Sequence, residues 1–62
     1  MDHPIIEEAI NYGVDAMGQR CAMAIQIAYF WVEGWLAGGG NGTVTADEAR
    51  EIREAVRNYH FE

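Results

Sequence analysis

The chain has 62 residues, with Lys+Arg 4 against Asp+Glu 10, a formal net charge of −6 and a 50% hydrophobic composition. One domain this short lies below the size of most enzyme scaffolds, and its apolar content excludes a disordered polymer. Short chains usually draw stability from disulfides, a structural metal or self-association; Cys21 is alone and the two histidines are far apart in sequence, so association is the expected source.

Met1-Asp2-His3-Pro4 carries no basic segment followed by an apolar stretch, so no secretory signal is expected. A reducing, cytoplasmic location fits the free thiol. Asp2 or His3 caps a first helix with Pro4 at an early position, where a missing N–H costs nothing, and with Glu7 and Glu8 at the positive end of the dipole. No proline follows before Ala37, so one helix over residues 4–37 is expected, a rod of about 50 Å at 1.5 Å per residue. Gly13, Gly18 and Gly34 lie inside it, each costing roughly 1 kcal/mol relative to alanine. A kink or break near Gly13 or Gly18 is the alternative. Small residues at four-residue spacing, such as Ala9 with Gly13 and Ala24 with Ala28, let another backbone come close.

Residues 38–44 form a glycine-rich turn, and Thr45-Ala46-Asp47-Glu48 spells a capping box that opens a second helix over 45–61. Ala49, Ile52, Val56 and Tyr59 make its apolar stripe. The turn resembles the calcium loop of the EF-hand family at Asn41, Gly42, Val44, Thr45 and Glu48, but Ala37 and Gly39 stand where that family places its first two carboxylates. The capping box accounts for Thr45 and Glu48 without a metal, and neither a metal nor another cofactor is expected.

A short turn sets the two helices antiparallel, and the shorter one covers only the second half of the rod. Ile5, Ile6, Ile10, Val14 and Met17 are left uncovered; at about 1.5–3 kcal/mol each they represent on the order of 7–15 kcal/mol. Tyr12, Gln19, Gln26 and Glu33 recur at seven-residue steps as a solvated stripe, with Glu8 and Asp15 beside it. The seam facing the other way, Ile6, Ile10, Val14, Met17, Cys21, Ala24, Ala28, Trp31 and Trp35, is the expected dimer interface. The fold class read from the sequence is therefore all-α: an antiparallel helical hairpin that assembles as a homodimeric four-helix bundle.

No nucleophile, base and orienting group come within reach of one another, so no catalytic residues are expected; Cys21 has apolar neighbours and reads as a small buried thiol. The stretch 21–38 is apolar enough to be weighed as a membrane span, but Gln26, Glu33 and the lack of flanking Lys or Arg argue against one. Arg50, Arg53 and Arg57 share a side of the second helix with Asp47, Glu51 and Glu54 interleaved, so direct nucleic-acid binding is not expected. Asp2, Glu7, Glu8 and Asp15 form an acidic run with no base before Arg20, suited to a basic protein surface, and Tyr29 and Phe30 are candidates for an aromatic docking patch. The function class that follows is a small acidic dimer that binds and modulates or inhibits a larger protein, as small phage and mobile-element inhibitors do. The alternatives are a structural or co-chaperone subunit whose apolar helix is completed by another protein, and, less so, a nucleic-acid-associated regulator.

Overall fold

The computed structural model describes residues 3–38 and 40–61, and these form three helices without a strand: α1 (Pro4–Met17), α2 (Ala22–Ala37) and α3 (Ala46–Arg57), with a 3-10 turn at Gly40–Thr43 before α3. The chain is all-helical, but the expected rod over 4–37 does not form. Gly18 adopts a left-handed conformation (φ 73°) and its N–H donates to the Val14 carbonyl at 2.7 Å, ending α1 one turn before α2 begins. The longest dimension is 31 Å, well short of a 50 Å rod.

Folding back at Gly18 places α1 antiparallel on α2. Tyr12 meets Trp31 (ring centroids 6.0 Å apart) and His3 meets Trp35 (6.1 Å). The small residues sit where the two backbones come closest: a Cβ built on Gly13 would collide with the Ala24 carbonyl oxygen and lie 2.9 Å from its carbon. Ala9, Ala24 and Ala28 are fully buried beside it. The close approach expected of these residues therefore occurs within one chain.

The third helix keeps its capping box, with the Thr45 N–H donating to Glu48 Oε1 (2.8 Å) and the Glu48 N–H to Thr45 Oγ1 (3.1 Å). Its stripe turns inward as expected, with Ile52 and Val56 buried and Ala49 and Tyr59 packed at the margin. It stops at Arg57 rather than continuing to residue 61, because Asn58 closes the last turn onto the Glu54 and Val56 carbonyls. Arg53 pairs with Glu33 and Arg57 with Tyr29, so α3 runs back antiparallel along α2.

The core comprises Ile5, Ile10, Val32, Leu36, Ile52 and Val56 with the three buried alanines. Its composition corrects the coverage argument. Ile5 and Ile10 retain only 5% and 3% of their surface, because the short first helix lies against α2 and α3 instead of extending past them. Ile10, Ala24 and Ala28, expected at a dimer interface, are enclosed by their own chain and offer a partner no surface. The described residues form three helices rather than the two of the expected hairpin.

Candidate binding surfaces

α1 starts on His3, whose Nδ1 accepts the Ile5 N–H at 3.2 Å, and Pro4 occupies the first helical position. This start sets the rotation of α1. Ile5, Ala9 and Gly13 point inward, Ile6, Val14 and Met17 are half-buried, and Glu7, Glu8, Asn11 and Asp15 are exposed. Asp2, expected within the acidic run, lies outside the described residues.

Between α1 and α3 runs a groove of about 490 Å³, with Glu7 and Glu8 on its α1 side and Ala55 and Tyr59 on the other. It continues past His3 and Ile6 to Glu48, Glu51 and Ile52. Ile6, Ala55 and Tyr59 give the groove apolar ground beside His3 and Asn11, and Glu7, Glu8 and Glu51 stand along it. Among the described residues Glu7, Glu8, Asp15, Glu51 and Glu54 enter no ion pair, while Asp47 is taken by Arg50 and Glu33 by Arg53. The sequence reading found Glu7 and Glu8 but not that α3 would supply the facing wall. That wall depends on the fold-back at Gly18, where the sequence offers a break only as the alternative to a continuous rod.

A second feature lies on α2. Glu33 Oε2 accepts from Arg53 Nε (2.6 Å) and Oε1 from Arg53 Nη2 (3.2 Å), a two-point pairing that clamps α3 to α2. The guanidinium beside it holds the Glu33 carboxyl below its ordinary value of 4.5, outweighing partial desolvation, which pushes the other way. Arg57 donates to the Tyr29 hydroxyl (3.1 Å) and stands 5.3 Å from that ring's centre. Tyr29 is accordingly half-buried against α3, and of the two expected docking aromatics only Phe30 stands free, 72% exposed. Met23, 55% exposed, shares its side of α2 and was missed by the sequence reading. Its seven-residue spacing from Phe30 is the signal that could have found it.

Of the other expected interface residues, Ile6, Val14, Met17, Cys21, Trp31 and Trp35 are half-buried. Cys21 caps α2 without a side-chain hydrogen bond. Among the described residues no group of three or more His, Cys, Asp and Glu is placed to hold a metal, and no helix is long and apolar enough to cross a membrane. Comparisons with protein-family models, with curated proteins and with solved structures return no match for this chain.

Proposed function

We propose that this protein is a non-enzymatic binding protein, an acidic helical dimer that docks on a basic surface of a larger protein and modulates or blocks it. The supporting observation is the groove between α1 and α3. Glu7, Glu8 and Glu51, which enter no ion pair among the described residues, border a floor that includes Ile6 and Ala55. Lysine and arginine side chains suit such a surface, because their aliphatic stems can lie on the apolar floor while their charged ends reach the rim. With a net charge of −6, the chain also attracts positive partners from a distance.

The test is a titration with a lysine- and arginine-rich peptide, followed by the fluorescence of Trp31 and Trp35. Binding is expected at low salt, weakening as ionic strength rises past the point where the Debye length falls to about 10 Å. The triple substitution Glu7→Gln, Glu8→Gln and Glu51→Gln should weaken binding at least tenfold with the far-ultraviolet dichroism unchanged. Equal affinity of the triple variant and the native chain would refute this reading.

A further inference from the structure

Among the described residues, one side of α2 is left uncovered. Ala24, Ala28, Val32 and Leu36 point inward with no more than 3% of their surface exposed, whereas Met23, Gln26, Phe30 and Gly34 stand on the opposite side with Ile27 at its edge. A surface helix normally turns polar residues to this side, as α3 does with Asp47, Arg50, Glu51 and Glu54. Here the outward line carries no formal charge, and Gln26 is its one polar side chain. Glu33 lies at its margin and is already engaged by Arg53. The molecule measures 15 Å in its shortest direction, room for two layers of helix, so no third layer of the described residues lies over this line.

We infer that a second copy of this chain covers the outer side of α2, the two α2 helices meeting antiparallel about a twofold axis. This assignment rests on the dimer proposed above but not on its basic target. Charge supplies the first argument. Two chains of net charge −6 repel wherever acidic groups face each other, and the outer sides of α1 and α3 display them through Glu7, Glu8, Asp15, Glu51 and Glu54. The Met23–Phe30 line is where like-charged copies can meet without bringing carboxylates together.

Shape supplies the second argument. Beyond the Gly34 Cα there is open space, while Met23 projects outward three helical turns earlier on the same side. An antiparallel pairing that seats Met23 of one copy over Gly34 of the other brings Ile27 of each against Phe30 of the other, because both pairs of residue numbers add to the same sum. One operation thus matches a long flexible side chain with a hollow and a branched aliphatic with an aromatic, twice. A surface that fits itself in this way is what a twofold interface requires.

Sedimentation equilibrium of the full chain, from micromolar to millimolar concentration, tests the inference. The mass should rise from 6.9 kDa toward twice that value. Phe30→Glu should raise the dissociation constant at least a hundredfold without changing the helical dichroism. Met23→Glu provides the same reading should the first variant lose structure. The register is read by mixing two single-thiol chains in a Cys21→Ala background, one with Met23→Cys and the other with Gly34→Cys. The mixed disulfide should form faster than either symmetric one. A native mass of 6.9 kDa at every concentration would overturn both the dimer and this surface. A dimer that survives Phe30→Glu and Met23→Glu overturns the surface alone, and faster symmetric disulfides overturn the antiparallel register. Binding of the basic peptide by the Phe30→Glu monomer is a separate readout, since the α1–α3 groove lies elsewhere.

Discussion

The backbone of Gly13 in α1 rests against the carbonyl of Ala24 in α2, with no room for a Cβ between them. This contact makes a sharp prediction, because the intrinsic helix preference and the packing pull in opposite directions. Replacing glycine by alanine inside an isolated helix contributes about 1 kcal/mol of stability. At Gly13 the added methyl instead forces two packed backbones apart, a strain of typically 1–3 kcal/mol or more. Gly13→Ala is therefore expected to destabilise the fold by about 1–2 kcal/mol in urea unfolding, and a stabilised variant would contradict the packing of α1 on α2.

Gly18 offers a second test, and its sign separates the observed fold from a continuous rod. In a rod, Gly18→Ala would remove a helix-weakening glycine and raise stability. In the observed fold Gly18 holds φ 73° and closes α1, a conformation that costs a residue with a Cβ about 1–2 kcal/mol. The variant should melt about 4–8 °C lower per kcal/mol in a chain of this size. Gly18→Asn, which tolerates the left-handed region better, should lose less.

These two glycines also show how far the sequence could be read. The third helix was legible because its signals are local: Thr45 and Glu48 cap each other, and Ile52 and Val56 recur at helical spacing. Pro4 marks the start of α1 in the same way. The break at Gly18 was legible as the alternative to a rod, but residues 18–21 span about one helical turn and the apolar pattern keeps its phase across them, so the pattern alone favoured continuity. The seam through Ile10, Ala24 and Ala28 was thus correctly placed on a buried face, but periodicity does not reveal what buries it. The same ambiguity hid the groove between α1 and α3. Glu7 and Glu51 are distant in the chain, and only the fold-back brings their helices side by side.

The capping box at α3 should be measurable on its own. Thr45 Oγ1 satisfies the Glu48 N–H, which otherwise has no partner within the helix. Thr45→Ala is expected to cost about 1 kcal/mol, and Thr45→Ser or Thr45→Asp considerably less, as read from thermal unfolding. Because α3 holds one wall of the acidic groove, Thr45→Ala should also weaken binding of the basic peptide. Unchanged stability in Thr45→Ala would show that the box does not anchor the helix.

The pairing of Glu33 with Arg53 sets an acid dependence whose direction follows from the carboxyl itself. Arg53 hydrogen-bonds the ionised form and holds its pKa below 4.5, so the folded chain favours the carboxylate more than the unfolded chain does. Its contribution to stability is complete above the ordinary value and is lost as the pH falls through the lowered one. Comparison of the native chain with Glu33→Gln isolates this contribution. The variant should be less stable than the native chain at neutral pH, and the gap should narrow as the pH is lowered below 4.5. High salt should shrink the difference as well, because the pair is partly exposed, with 38% and 37% of the Glu33 and Arg53 side-chain surfaces open to solvent. Melting curves recorded by circular dichroism across this range measure it, and a gap that stays constant with pH would show that the two-point contact does not clamp α3 to α2.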